Sequence, residues 1–289
     1  MGSRLESLRG AVRGTPLHLA WRFAVAAVGA RREAASLRQV RTYCLFIGHP
    51  RSGHSIVGAL LDAHPEMVVS DELDALRYVS AGFTRDQVLF LSLRTARHQA
   101  AHQRRKLGRG GTYSYHVEGQ WQGRFRELRV VGDSRAGWTV RRLSSDPALL
   151  RRLERRMRPL QLRFIHVVRN PFDNISTMVI RGGRTLPNAV ERYFATCRGL
   201  FDLRQAIGPD RLLTMRHEDL ISDPRARLAE ACDLLEVVAT SEYLDACAGV
   251  LYARPSRSRS EIEWPPEMRE RVDGLIAEFP FLAGYTFDA

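Results

Sequence analysis

Tyr43-Cys44-Leu45-Phe46-Ile47-Gly48-His49-Pro50-Arg51-Ser52-Gly53-His54-Ser55-Ile56-Val57 is the stretch that decides the fold. It opens on a short apolar run, Tyr43 to Ile47, of the length of a buried strand. Gly48-His49-Pro50 ends that run. Ile56, Val57, Leu60 and Leu61 then recur at helical spacing as far as His64-Pro65. The unit is strand, tight loop, helix. Backbone N–H groups at such a helix start point outward, and the helix dipole favours an anion there. Gly48 and Gly53 permit the turn and a close backbone approach; Ser52 and Ser55 add hydroxyls, and Arg51 adds a charge with several donors. The spacing fits G-x-x-x-x-G-K-[ST], with His54 in the lysine's place. An imidazole is a poor substitute for an ammonium that must reach a γ-phosphate. The loop therefore reads as phosphate-binding, but not as a standard ATPase loop.

Working outward, further short apolar runs at Met67–Val69, Val130-Val131, Phe164–Val168 and Leu212–Met215 read as strands. Helical patterning covers Arg77 to Arg105, Pro147 to Met157 and Glu267 to Ala277. It also covers Leu186 to Ile207, with Val190, Phe194, Cys197 and Phe201 on the inner face. Pro171 and Pro224 each open a helix at the favoured first position, the latter behind the cap residues Ser222-Asp223. Lys106 to Gly111 and Arg254 to Glu263 read as loops. This alternation predicts an α/β fold: a single P-loop-like domain over 41–289, with a central, mostly parallel sheet flanked by helices. An N-terminal helical extension over 1–40 precedes it. Leu17, Trp21, Val25 and Val28 share one face of that helix. The face reads as docked on the core. Alternatively, since Arg22, Arg31 and Arg32 flank it, it makes a peripheral contact with an anionic membrane.

The chain has 289 residues and a formal charge of +12, from 44 basic and 32 acidic side chains. Lys106 is the only lysine. The charge points to an anionic partner. The basic residues are spread along the chain, whereas a nucleic-acid binder would gather them in a stripe with interleaved aromatics, so no nucleic acid is expected. Cys44, Cys197, Cys232 and Cys247 form no C-x-x-C pair and suit neither zinc nor a disulfide framework. Buried, reduced thiols in a cytoplasmic protein are the expectation.

Pro50-Arg51-Ser52-Gly53-His54-Ser55, leading to Leu60-Leu61-Asp62-Ala63-His64-Pro65, resembles the 5′-phosphosulfate loop of sulfotransferases that use 3′-phosphoadenosine 5′-phosphosulfate (PAPS). Phe164 to Asp173 is similar to the same family's 3′-phosphate segment: a strand, then Arg169-Asn170-Pro171, then a hydroxyl eight residues past the arginine. Thr177 stands in that register, with Ser176 beside it. The physical reading agrees, because open α/β sheets bind ligands at the carboxyl ends of strands and an arginine there can pair with a phosphate. Met215 to Leu220 is similar to a Y-E-D-L element that is usually structural. Arg254 to Ser260 stands where the family closes a basic loop over the 3′-phosphate, which makes Arg257 and Arg259 candidate nucleotide contacts.

The resemblance implies in-line sulfuryl transfer from PAPS to a small-molecule, carbohydrate or lipid acceptor, leaving adenosine 3′,5′-bisphosphate (PAP), without a metal or a covalent intermediate. Arg51 would neutralise the leaving oxygen, and His54 would bond the sulfuryl oxygens in place of the usual threonine. Carbohydrate-type members take their base from a glutamate just after the first helix. Here that place reads Ser70-Asp71-Glu72-Leu73-Asp74, with Glu72 the first choice and Asp71, Asp74 and the histidines, the residue type that cytosolic members use, as the alternatives. Gly132-Asp133-Ser134-Arg135 stands where those members carry G-E-K. Tyr113, Tyr115, His116 and Trp121 are candidates for an acceptor pocket or a core. Two rival readings are a nucleotide or small-molecule kinase, with Asp133 as its Mg²⁺ carboxylate, and a non-enzymatic anion-binding protein.

Overall fold

The computed structural model describes residues 15–102 and 115–288. In chain order the elements are α1 (Pro16–Arg32), α2 (Ala34–Leu37), β1 (Thr42–Gly48), α3 (His54–Leu61), β2 (Met67–Ser70), α4 (Ala75–Ser80), α5 (Arg85–His102) and β3 (Val130–Asp133). There follow α6 (Ala136–Ser145), α7 (Ala148–Met157), β4 (Gln161–Val168), α8 (Pro171–Gly182), α9 (Leu186–Ile207) and β5 (Leu212–Arg216). The chain closes through α10 (His217–Ser222), α11 (Pro224–Leu234), α12 (Ser241–Ala248) and α13 (Pro266–Ala277). The Lys106–Gly111 loop and Tyr113 lie outside the described residues.

The strands lie in the order β2-β3-β1-β4-β5, and every neighbouring pair is parallel. Central β1 is buried along its whole length, and its alternation shows why the run is apolar throughout. Tyr43, Leu45 and Ile47 face one core, shared with buried residues of α1, α4, α5, α7 and α9. Cys44 and Phe46 face the opposite core, filled from α3, α11 and α12. A third cluster joins α8, α9 and α13 to the C-terminal aromatics. All four cysteines are buried and free.

Three local expectations change. Over its described residues, the segment that begins at Arg77 is two helices ending at His102, broken at Ala81-Gly82, where Gly82 takes φ +85°. On α9 the buried seam runs Val190, Phe194, Cys197, Leu200, Leu203, Ile207, so Phe201 falls off it and stays 39% exposed. On α1 the docked residues are Ala26, Gly29 and Ala30, while Leu17, Trp21 and Val28 face outward. Small residues let the helix lie close: a Cβ at Gly29 would come within 2.0 Å of the Phe90 ring.

Because the strands are parallel, Gly48, Ser70, Asp133, Val168 and Arg216 end at one edge of the sheet. Ligands of open α/β sheets bind outside that edge, where the strand order reverses.

Candidate active site

The loop after β1 runs over the start of α3. Arg51 is exposed and takes φ +69°, a left-handed conformation uncommon for a side chain of its size. Gly53, the cap of α3, takes φ +99°, and a Cβ there would meet His217 Nδ1 at 2.5 Å. Asn174 of α8 donates to the Pro50 carbonyl (2.9 Å) and ties the loop to the neighbouring strand's helix. Ser52 Oγ, His54 Nδ1 and His217 Nδ1 are buried without a hydrogen-bond partner among the described residues. Buried polar atoms left open beside a helix N-terminus are what a bound oxyanion would satisfy. His54 is buried, not facing solvent; burial, with Arg51 adding to it and Asp71 opposing, lowers its pKa and favours the neutral ring.

Three further histidines surround this loop and carry a testable consequence. Burial lowers His49 and His217 to about 4, the latter helped by Arg169. His166 is pushed well below its usual value by burial and by Arg204. His49 stacks on Tyr193 at 3.8 Å and bonds the Tyr193 carbonyl at 2.9 Å. A base with a lowered folded pKa binds fewer protons when folded than when unfolded, so its stability is lost as pH falls from about 6.5 toward 4. His49 and His217 each account for roughly 3 kcal/mol over that window. Asp133, pushed up to about 7 by burial, works in the opposite direction and offsets part of the loss. The four lowered histidines around this loop, His54 included, outweigh that one carboxyl. The melting temperature is expected to fall steadily from pH 7 to pH 4.5, and His49→Gln to flatten the slope. A level profile for the wild-type chain would show that these rings are not held neutral.

The acidic segment after β2 divides its three carboxylates among different tasks. Asp71 Oδ1 accepts from Ser55 Oγ (3.2 Å) and Ser134 Oγ (2.8 Å). Gln99 of α5 grips the Asp71 backbone, accepting from its N–H (2.9 Å) and donating to its carbonyl. Asp74 is held by both terminal oxygens to Arg142, at 2.6 Å each. Asp133 accepts from Leu73 N (3.1 Å), Ala75 N (2.9 Å) and Ser70 Oγ (3.3 Å), so it fixes the turn carrying Glu72. The carboxylate that a kinase would offer to Mg²⁺ is thus committed to backbone. Glu72 is left with its side chain 62% exposed. It takes φ +58°, and Arg135 donates to its carbonyl at 2.9 Å while lying 4.0 Å from Oε2. Tyr115 is near enough to be influenced: its pKa is raised by burial, then by Asp71, with Arg51, Arg181 and Glu72 also acting on it. Trp121 is elsewhere. Its N–H bonds the Ala63 carbonyl beyond the far end of α3, at the opposite edge of the sheet.

At the end of β4, Arg169 is buried and turned toward hydroxyls. Its Nη1 reaches Thr177 Oγ1 (3.2 Å) and the Arg51 carbonyl (3.4 Å). Its Nη2 reaches the Ser256 carbonyl (2.8 Å) and Ser258 Oγ (3.2 Å). Thr177 Oγ1 lies 3.1 Å from Ser258 Oγ. Ser176 is turned away and accepts from Trp264 Nε1 (3.0 Å). Arg257 is exposed at the start of a 3-10 turn, Ser258–Glu261. Arg259 is a correction. Its guanidinium does not face the phosphate cluster but is buried against Asp173, with Nε to Oδ1 at 3.1 Å and Nη2 to Oδ2 at 2.9 Å. It also donates to the carbonyls of Thr286 (3.1 Å) and Phe287 (2.5 Å). A buried carboxylate needs a partner, and Arg259 is the one in reach. Glu218 accepts from Asn170 N (2.8 Å) and from the Tyr285 hydroxyl (2.7 Å), so the segment after β5 braces the site.

Open buried polar groups after β1 and a buried arginine among hydroxyls after β4, at neighbouring strand ends, define a P-loop-like α/β protein. A model described as the sulfotransferase family matches residues 45–241, and the chain belongs to that family: it is an enzyme of sulfuryl transfer. Among solved structures it is similar to the sulfotransferase domain from the curacin biosynthetic pathway, at 15% identity and a TM-score of 0.50, covering 83% of this chain and 98% of that one. It is also similar to the sulfotransferase domain of the Synechococcus PCC 7002 olefin synthase (20% identity, TM-score 0.49, 82% and 92% covered). Mouse sulfotransferase SULT7A1, solved with PAP, aligns over 84% of this chain and 87% of its own at 10% identity and a TM-score of 0.43. No curated protein matches the chain.

Proposed function

We propose that the chain takes PAPS as its sulfuryl donor and transfers the group to a hydroxyl or amine of a small-molecule, carbohydrate or lipid acceptor, with Glu72 as the base. The observation that carries the nucleotide assignment is the pair of buried donor clusters at two strand ends: Ser52 and His54 beside Arg51, and Arg169 with Thr177 and Ser258. PAPS, when bound, supplies the sulfuryl group and a phosphate leaving group. Arg51, Ser52, Gly53 and Ser55 would hold the 5′-end, with the Arg51 charge at the leaving oxygen. A neutral His54 would donate one hydrogen bond to the sulfuryl oxygens. Arg169, Thr177 and Ser258 would hold the 3′-phosphate, and exposed Arg257 would add a second charge from the rim. Glu72 is the exposed carboxylate of the three, which leaves it able to accept a proton from an incoming nucleophile. Asp71, bonded to the hydroxyls of Ser55 and Ser134, positions the loop against that turn. Four buried thiols suit a reducing, cytoplasmic setting.

PAP without added metal is expected to raise the melting temperature. Ligand at ~100 times its dissociation constant adds about 2.7 kcal/mol. Arg169→Ala should weaken PAP by roughly 10- to 150-fold, the equivalent of one charge-assisted bond, and leave adenosine 5′-phosphate nearly unchanged. Equal losses for both nucleotides would move Arg169 away from the 3′-phosphate. No PAP shift in low salt would remove the assignment.

A further inference from the structure

Among the described residues the outward face of α1 is left largely uncovered, and its composition is not that of a solvated surface. Leu17 is 82% exposed, Trp21 51% and Val28 51%, and these residues follow one another at helical spacing with Ala24 and Val25 between. The stripe continues into a groove of about 670 Å³ between α1 and α5, lined by Val25, Val28, Phe90, Arg32, Arg94 and Arg97 among others. The rim is basic. The Arg94 guanidinium lies 5.6 Å over the Trp21 ring, and Arg31 and Arg32 stand exposed in the last turn. Glu33 is the acidic residue of this lining, and it is neutralised by Arg97 at 2.5 Å. The sequence before the helix adds Arg4, Arg9 and Arg13 against Glu6.

We infer that α1, together with the adjoining end of α5, is a docking face for an anionic lipid bilayer. A helix lying in the interface needs an apolar stripe for the acyl boundary and arginines beside it for the headgroups; α1 presents both. The opposite face, Ala26, Gly29 and Ala30, is already bound to the core, so the helix meets the bilayer as a rigid ridge and needs no separate folding step. Charge selects this occupant over a second copy of the chain, whose own α1 face is equally basic and would repel it. Arg94 and Trp21 make the best-defined contact: an indole at headgroup depth with a guanidinium over it.

Sedimentation with phosphatidylcholine vesicles containing about 30 mol% phosphatidylglycerol, against phosphatidylcholine alone, reads this directly. The full chain is expected to sediment with the anionic vesicles at low salt and to be released by high salt. Trp21→Asp and Leu17→Asp should each cut the bound fraction at least tenfold, while Val238→Asp, an exposed apolar site elsewhere, should not. The melting temperature without nucleotide, measured on the same samples, reports whether each variant is folded, and it keeps this test separate from that of the reaction. The inference is overturned if the wild-type chain ignores anionic vesicles, or if both α1 variants bind as well as wild type. Equal binding to uncharged vesicles would also overturn it, as would a concentration-dependent dimer that Trp21→Asp dissolves in the absence of vesicle binding.

Discussion

Glu72→Gln is expected to fold normally, keep its affinity for PAP and lose roughly 10²–10⁴-fold in turnover, the contribution of a well-placed base. The three acidic side chains of this turn are not equivalent. Asp74 is locked to Arg142, and Asp71 accepts from two serine hydroxyls. Glu72 alone is mostly exposed, with Arg135 4.0 Å from its carboxylate. A loosely held surface pair contributes little to stability, so removing the charge should barely move the melting temperature. The measurement is steady-state turnover with an acceptor found by incubating a metabolite extract with labelled PAPS. Retention of more than about a tenth of wild-type turnover would move the base to Asp71 or a histidine.

Arg259→Ala is expected to act in the opposite sense, on the fold first. It would leave the Asp173 carboxylate buried without its charge partner, although the backbone N–H of residue 259 still donates to it (2.9 Å), and breaking such a pair costs about 3–5 kcal/mol. The melting temperature should drop by on the order of 10 °C for a domain of this size. The loss has two further components, because the same guanidinium donates to the Thr286 and Phe287 carbonyls and fastens the C-terminal segment. Asp173→Asn with Arg259→Met would replace the charged pair by a neutral one and should recover part of the loss. If Arg259→Ala instead melts like wild type and binds PAP much more weakly, the side chain belongs to the nucleotide and the buried pair is dispensable.

How legible these features were in the sequence depended on the reach of the interaction. β1, the loop and α3 could be read because strand, glycine turn and helix follow one another without interruption. The spacing of Arg169 and Thr177 was readable for the same reason: two turns of one helix separate them, and the structure sets their side chains 3.2 Å apart. Ser176 next to Thr177 could not be sorted by spacing; its hydroxyl is claimed by Trp264, a contact between distant parts of the chain. Gln99, Asn174 and Ser258 are not legible on the same ground. Each reaches the site across the sheet edge, from an element whose placement follows from strand order. The arginines of the last loop looked alike as a run. Only the position of Asp173 separates Arg259, turned inward, from Arg257, left at the surface. On α1 the large apolar residues mark the face that does not dock. Alanine and glycine allow the closer approach, and that approach decided the docking.

Arg51 and Glu72 both hold a left-handed backbone that glycine would adopt without strain, at a cost of about 1–3 kcal/mol each. Laboratory evolution for heat resistance would therefore find easy gains at these two positions, through Arg51→Gly or Glu72→Gly, and each gain would discard one of the charges on which the proposed chemistry turns. Libraries screened for thermal tolerance alone should drift toward inert descendants. A screen that couples survival to product formation would have to seek its stability elsewhere in the chain, away from the loop and the acidic turn.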